Sequence, residues 1–145
     1  HPENSHVVPA LIRRLHEARE KKLNEVVVWG SGTPKREFLY VDDMAQASLF
    51  VHNLDAQIFH KERHPMLSHV NVGSGEEISI RELAETIKQV VSYNGKIIYD
   101  LSKPDGISRK LLSVTELSSL GWSHSVKLLD GLTRTYYDFH HRSYL

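Results

Sequence analysis

The sequence predicts a small mixed α/β domain, and two observations carry this prediction. Short β-branched and aromatic runs, bounded by glycine, asparagine or proline, alternate with segments whose apolar residues recur at helical spacing. The chain has 145 residues, is 40% hydrophobic and contains no cysteine, a composition typical of one globular domain. We therefore expect one α/β domain over residues 1–145.

In the first half of the chain we predict two helices, two strands and a loop. The helical stretches carry apolar residues on one face, and the first strand is a run of valines that stops at a glycine turn. Asp42 or Asp43 is expected to cap the second helix. In order, the predicted elements are a helix over 6–22, a strand over 25–29, a strand over 36–41, a helix to about residue 54 and a loop over 55–67.

The second half repeats the alternation. Ser79 with Glu82, and Ser113 with Glu116, have the spacing of the capping box that begins a helix. In order, we predict a strand over 69–72, a helix from Ser79 that ends at Asn94-Gly95, a strand over 96–99, a loop over 101–109, a short helix after Ser113 that stops near Gly121, and a last helix containing Leu128, Leu132, Tyr136 and Phe139.

Charge and hydropathy exclude several classes of partner. The 18 lysines and arginines balance 18 aspartates and glutamates, so we expect no nucleic-acid partner. No apolar run is long enough to span a membrane, and the N-terminus lacks the pattern of a signal peptide. We therefore expect no membrane association and a cytoplasmic location. Because the chain begins His1-Pro2 without methionine, we expect it to be a piece of a longer protein.

Two glycine pairs follow predicted strands, and each invites comparison with a dinucleotide-binding loop. They are Gly30-Ser31-Gly32 and Gly73-Ser74-Gly75. The third glycine of the G-x-G-x-x-G pattern is replaced by Lys35 in the first and by Ile78 in the second. That glycine is needed for close packing of the helix, so the pattern favours ordinary turns.

Histidines and paired carboxylates are candidates for metal or acid–base chemistry. His60 and His64 are four residues apart, yet no third ligand stands near them in the sequence. A solvated loop is the favoured interpretation, and we predict no metal site. Asp42-Asp43 could serve as a carboxylate pair, although a helix cap fits these positions better.

The cationic residues suggest an anion site. Arg14, Arg36 and the Arg109-Lys110 pair stand at loop edges or on a helix face, where the forked donors of arginine could meet a diphosphate. Taken singly, each is more typical of solvated surface. Spacing alone supports no more than a possible anion site.

Three stretches then resemble a known family. They are HPENSHVVPALIRR at 1–14, VWGSGTPKREFLYVDD at 28–43 and SKPDGISRKLL at 102–112. Together they are similar to the C-terminal, substrate-binding part of the GDP-L-fucose synthases, which are extended short-chain dehydrogenase/reductases. The resemblance implies a small mixed α/β substrate-binding domain that completes an NAD(P)-binding Rossmann-type protein. The half with the glycine-rich NADP(H) loop, the Ser-Tyr-Lys set and a cysteine base is absent, so this chain alone is expected to be inactive.

The resemblance also implies site residues and a reaction. The family converts GDP-4-keto-6-deoxy-D-mannose to GDP-L-fucose by 3,5-epimerisation and NADPH-dependent reduction at C4, commonly as a homodimer. His6 matches the family's acid, a position that also contacts NADP(H). The positions that match the family's GDP-sugar contacts are Arg14, Trp29, Arg36, Lys110 and, more weakly, Asp105. Trp29 is equally consistent with an anchor at the edge of the core.

Two alternatives stay open at the level of the sequence. The stretch REFLYVDD at 36–43 is shared by many nucleotide-sugar epimerases and dehydratases, so the substrate could be a UDP- or dTDP-sugar. The chain could also be a non-catalytic binding or dimerisation module. Tyr40 and Ile107-Ser108 depart from the more usual family residues, which leaves open the shape of the loop predicted over 101–109.

Overall fold

The computed structural model describes residues 5–60, 66 and 69–142. Helices and short strands alternate, as the sequence predicts for a mixed α/β fold. In order they are α1 (Val7–Glu20), β1 (Glu25–Trp29), β2 (Lys35–Glu37), α2 (Val41–His52), α3 (Ala56–His60), β3 (Glu77–Ser79), α4 (Ile80–Val91), β4 (Lys96–Asp100), β5 (Arg109–Lys110), α5 (Thr115–Ser119) and α6 (Leu128–Arg142).

The chain divides into two compact units. The first comprises residues 1–36, 78–110 and 129–145, and the second comprises 37–77 and 111–128. In the first unit, β1 and β4 form a parallel pair whose register runs from Glu25 opposite Lys96 to Trp29 opposite Asp100. The alternation of β1 buries Val26 and Val28 and leaves Val27 and Trp29 exposed, so one face of the pair is covered.

The core of the first unit lies between α1, α4 and β1. These elements present apolar side chains at helical or strand spacing, and burial of such side chains is the main stabilising contribution. The members that are almost fully buried are Leu11, Ile12, Leu15, Ala18, Leu83, Ala84, Ile87 and Val91. At the N-terminus of α4, the Ser79 hydroxyl accepts from Glu82 N while Glu82 accepts from Ser79 N. The capping box predicted there is confirmed.

A second sheet has the strand order β3-β2-β5. Strands β2 and β5 are parallel, with Lys35 opposite Arg109 and Arg36 opposite Lys110. Lys35 N donates to Ser108 O at 2.8 Å, which extends the pairing by one bond. This pairing places two pairs of cationic residues side by side.

The second unit is built around two engaged carboxylates. Asp43 is 1% exposed and accepts from Ser125 N, Ser125 Oγ and Val126 N. Glu37 accepts from Gly75 N at 2.6 Å and from Leu112 N at 3.1 Å. These carboxylates join segments distant in sequence by satisfying backbone donors that would otherwise lack partners.

Several element boundaries differ from the sequence predictions in the region of α2. The strand predicted over 36–41 is confined to Lys35–Glu37, and Val41 already begins the helix. Neither Asp42 nor Asp43 is the cap, because that position belongs to Tyr40, which makes no side-chain cap bond. Asp43 lies in the first turn and its carboxylate is drawn instead to Ser125 and Val126.

The second half holds three further corrections. Residues 69–72 are not a strand; the strand lies at Glu77–Ser79. The cap of α5 is Val114 rather than Ser113, so the second capping box is absent. The loops predicted over 55–67 and 101–109 contain α3 and the first residue of β5, while 61–65 and 67–68 of the first loop lie outside the described residues.

Within the described residues, no helix is both long enough and apolar enough to cross a membrane.

Candidate functional site

The candidate site lies where β1 and β4 end. The parallel pair ends with Trp29 opposite Asp100, and loops then follow the two strands, over residues 30–34 after β1 and over 101–108 after β4. Ligands of open parallel sheets bind at the carboxyl ends of the strands, where such loops gather. Four of the predicted binding residues belong to these loops or to the strands they join: Trp29, Arg36, Asp105 and Lys110.

Trp29 presents an indole face flanked by two cations. Its side chain is 64% exposed, so most of the indole surface is accessible and only a small part of it could anchor the edge of the core. The Arg14 guanidinium lies 5.8 Å from the ring centroid, and Lys103 Nζ lies 5.6 Å from it. Both distances are within the range of cation–π attraction. An exposed aromatic face with positive charge around it suits a flat or sugar-like group that carries phosphate.

Asp105 ties the 101–108 loop to the turn after β1. Ser31 N donates to Oδ1 at 2.8 Å and Ser31 Oγ donates to Oδ2 at 2.6 Å. These bonds, the side-chain one foremost, hold the pKa of Asp105 below its ordinary value because they favour the charged carboxylate. Gly30 has φ +81, and a β-carbon there would collide with Oδ1. Both carboxylate oxygens are therefore engaged within the chain.

Arg36 and Lys110 are neighbours across β2 and β5. Directly paired residues of adjacent strands project to the same side of a sheet. Arg36 Nη1 donates to Lys35 O at 2.7 Å, and a β-carbon at Gly106 would lie 3.3 Å from Arg36 Nη2. Lys110 is exposed. Their pairing brings two cationic side chains to one side of the sheet, at the end of the loop that carries Asp105.

His6 stands apart from these residues. It is the N-cap of α1; its carbonyl accepts from Ala10 N at 3.0 Å, and its side chain makes no cap bond. The imidazole is exposed. Arg14 lies eight residues further along the same helix, about 12 Å along its axis. The structure thus brings Arg14 to Trp29 and Arg36 to Lys110, while within the described residues no hydrogen bond joins the His6 side chain to any of them.

Sequence reasoning missed Lys103 and Ser31 as members of the site. Lys103 stands in the Lys-Pro-Asp-Gly stretch, whose composition predicts a turn-rich loop and does not indicate a cation beside the indole. Ser31 stands between two glycines, where a small donor can approach a distant carboxylate. The only sequence signals were these two short motifs, since the contact between them spans 74 residues.

Neither glycine turn fits a dinucleotide phosphate. After Gly30-Ser31-Gly32 the chain enters β2, and after Gly73-Ser74-Gly75 it enters β3, so neither turn opens directly into a helix. Ser31 N is taken by Asp105 and Gly75 N by Glu37. Backbone donors at a helix N-terminus are what a dinucleotide cradle requires. The described residues therefore do not form one, in agreement with the turn interpretation.

The histidine pair considered for a metal is only partly described. His60 lies at the end of α3, and His64 lies outside the described residues. Over residues 5–60 and 69–142, no three histidine, aspartate or glutamate side chains are grouped closely enough to hold a metal ion.

Comparisons with known proteins point to one group. A model described as the NAD dependent epimerase/dehydratase family matches residues 1–73. The chain is 57% identical over 136 residues to a GDP-L-fucose synthase from Escherichia coli K12, covering 94% of this chain and 42% of that protein. It is 54% identical over 136 residues to GDP-L-fucose synthase 1 of Arabidopsis thaliana, covering 94% of this chain and 39% of that protein.

A solved structure supports the same relationship. The GDP-L-fucose synthetase of Naegleria fowleri superposes with a TM-score of 0.84 at 26% identity, covering 99% of this chain and 42% of that one. The chain therefore spans about two fifths of the length of each of these three relatives.

Proposed function

Because the chain belongs to the NAD dependent epimerase/dehydratase family, we propose that it is the C-terminal, substrate-binding part of a GDP-L-fucose synthase. The complete enzyme would convert GDP-4-keto-6-deoxy-D-mannose to GDP-L-fucose by 3,5-epimerisation and NADPH-dependent reduction at C4. The names of the E. coli and Arabidopsis relatives support this choice of substrate. The observation that carries it is the exposed Trp29, flanked by Arg14 and Lys103.

Each of these residues would contact a different part of the nucleotide-sugar. Arg36 and Lys110 would meet the diphosphate, since a guanidinium binds phosphate oxygens with a fork of donors and a lysine adds a point charge. Trp29 would pack its exposed face on the sugar or the base, with Arg14 holding charge beside it. Asp105 would contribute by holding its loop over the ligand.

His6 would supply a proton in the epimerisation. The protons at C3 and C5 are acidic because each lies next to the C4 ketone, and inversion requires a base on one face and an acid on the other. Histidine serves in this role because its side chain exchanges protons near neutral pH. The exposed imidazole at the start of α1 is not committed to a cap bond, and we propose that the missing part of the enzyme brings the substrate to it.

The remaining assignments belong to the complete protein. NADP(H) would be bound mainly by the N-terminal part that the longer relatives have, with His6 as a contact from this chain. The 145-residue chain alone would be inactive. We further propose that the complete enzyme is a cytoplasmic homodimer.

The test uses the intact enzyme with GDP-4-keto-6-deoxymannose. NADPH oxidation is followed for the wild type, for His6→Gln and for His60→Gln, an exposed histidine of α3 that serves as control, and the sugars released are identified. We expect GDP-fucose from the wild type and the control, and an unepimerised 6-deoxy sugar from His6→Gln. Normal epimerisation by His6→Gln would show that His6 does not supply the proton. Turnover of only a UDP- or dTDP-sugar by the wild type would overturn the substrate.

A further inference from the structure

Arg81, in the first turn of α4, contacts the turn that follows β1 at several points. Its guanidinium carbon lies 3.7 Å from the centroid of the Tyr99 ring, and its Nη2 donates to Ser31 O at 2.7 Å. Its backbone N donates to Gly32 O at 2.8 Å. Arg81 therefore donates hydrogen bonds to two consecutive carbonyls of this turn, and its guanidinium stacks on the Tyr99 ring of β4.

The same turn is held from its other side by Asp105. Ser31 donates its N–H and its hydroxyl to that carboxylate, and its carbonyl accepts from Arg81 Nη2. Gly32 adopts φ +74, and a β-carbon there would lie 2.7 Å from Tyr99 Cε1. The turn thus has little room to shift, and the orientation of the Ser31 donors depends on both neighbours.

We propose that Arg81 is a positioning residue of the candidate substrate site: it fixes the 30–33 turn so that Ser31 can hold Asp105 and the loop that places Lys103 over Trp29. The expected effect of Arg81 on substrate binding rests on the function proposed above. Its expected effect on the loop does not. Each step is a contact of the described structure, from Arg81 to Ser31, from Ser31 to Asp105, and from the loop to the indole.

The Tyr99 hydroxyl supplies a matched control. Within the described part of the chain this oxygen is buried and has no hydrogen-bond partner, so the ring face, rather than the hydroxyl, is what serves Arg81. Tyr99→Phe keeps that face. Lys88→Ala is a second control, because it removes a positive charge from the same helix at a residue that pairs with Glu85.

The experiment measures amide hydrogen exchange and steady-state kinetics of the intact enzyme. In Arg81→Ala we expect exchange in 101–108 to quicken about tenfold and KM for the GDP-sugar to rise about tenfold, with kcat nearly unchanged. For Arg81→Lys we expect an exchange rate and a KM between those of the wild type and Arg81→Ala. The lysine amine keeps a positive charge over the ring but lacks the forked donors that reach Ser31. Tyr99→Phe and Lys88→Ala should match the wild type.

Each outcome decides the inference. Unchanged exchange of 101–108 in Arg81→Ala, or faster exchange there with an unchanged KM, would overturn it. If Arg81→Ala does not fold, the Arg81→Lys variant decides by the same two readouts. If the wild type neither binds nor turns over a GDP-sugar, the proposed function fails, while exchange alone still decides whether Arg81 holds the loop.

Discussion

Asp43 is kept ionised inside the protein by the donors that surround it. Burial by itself would raise the pKa of this carboxyl, but the hydrogen bonds from Val126 N, Ser125 Oγ and Ser125 N outweigh burial and lower it. A carboxylate with several good donors is stabilised in its charged form even where water is excluded. Its three bonds join α2 to the segment just before α6.

Asp43→Asn should therefore destabilise the chain by about 2–3 kcal/mol, because an amide oxygen accepts less strongly and its NH₂ would face donors. Urea unfolding at pH 7 measures this, with the exposed neighbour Asp42→Asn as control. Since the folded pKa lies below the unfolded value, the contribution of Asp43 is fully present above about pH 4 and is lost as pH falls through the folded pKa. Equal midpoints for the two variants at pH 7 would contradict this account.

Arg36 offers a residue-scale test of the proposed substrate site. Arg36→Ala in the intact enzyme should raise KM for the GDP-sugar about tenfold or more without changing the thermal midpoint, because a forked contact to phosphate is lost. Arg36→Lys should recover part of the affinity. Lys96→Ala, at the opposite end of the paired strands from Trp29, is the matched control. An unchanged KM for Arg36→Ala would mean that Arg36 is an ordinary solvated surface residue that does not contact the substrate.

The helix starts show where local sequence decides structure and where it does not. Both Ser79-x-x-Glu82 and Ser113-x-x-Glu116 fit the capping pattern, yet only the first forms the box. Ser79 has the extended backbone of an N-cap, with φ −69 and ψ 153. At the second site Val114 precedes the helix, and the Ser113 hydroxyl lies 3.4 Å from that of Thr115. The same motif therefore forms a capping box at one helix start and not at the other.

The two serines can be compared directly. Ser79→Ala should lower the free energy of unfolding by about 1 kcal/mol, whereas Ser113→Ala should change it by less than about 0.5 kcal/mol. Chemical denaturation of the two variants beside the wild type measures the difference. Equal losses would mean that the second serine caps its helix in solution.

Strand prediction succeeded where a strand buries its own side chains. The run Val26-Val27-Val28 marks β1 because it is β-branched and half-buried. Strand β5 contains only Arg109 and Lys110, and β3 only one apolar residue. Both strands are hydrogen-bonded to β2, and a short local sequence pattern does not predict such pairing. Val70 and Val72 show the converse, since they are half-buried without a strand there.

The candidate site follows the same division. Arg14, Trp29, Arg36 and Lys110 could be named from the sequence because they lie within recognisable motifs. Their arrangement could not, since it depends on contacts such as Arg81 with Ser31 across 50 residues. Positions that support a site through distant partners carry no signature of their own in a single sequence.

At the scale of the whole molecule, charge and exposed apolar surface act together. The net charge is zero at pH 7 with ten histidines neutral, so little long-range repulsion keeps copies apart. Large apolar side chains are exposed in the second unit, among them Val41 at 68%, Leu49 at 62% and Ile58 at 53%. Such side chains favour association when nothing covers them.

Self-association of the chain should therefore be strongest near pH 7 and weaken toward pH 5.5. The ordinary pKa of a histidine side chain lies in this interval, and the chain contains ten histidines, so acidification adds positive charge. His16 should lag behind because burial, followed by the nearby Arg19, lowers its pKa. Static light scattering across this pH range measures the average mass, with Leu49→Lys in the second unit compared with Leu101→Lys in the first.

We expect Leu49→Lys to reduce association at pH 7 more than Leu101→Lys, although Leu101 is the more exposed of the two at 74%. Both changes add the same charge and remove one exposed leucine, so the difference between them reports whether the apolar surface of the second unit contributes more than that of the first. Equal effects would contradict a special role for the second unit. A discrete dimer of unchanged mass from pH 7 to 5.5 in all variants would instead favour a dimerisation module, since a specific interface does not depend on the loss of repulsion.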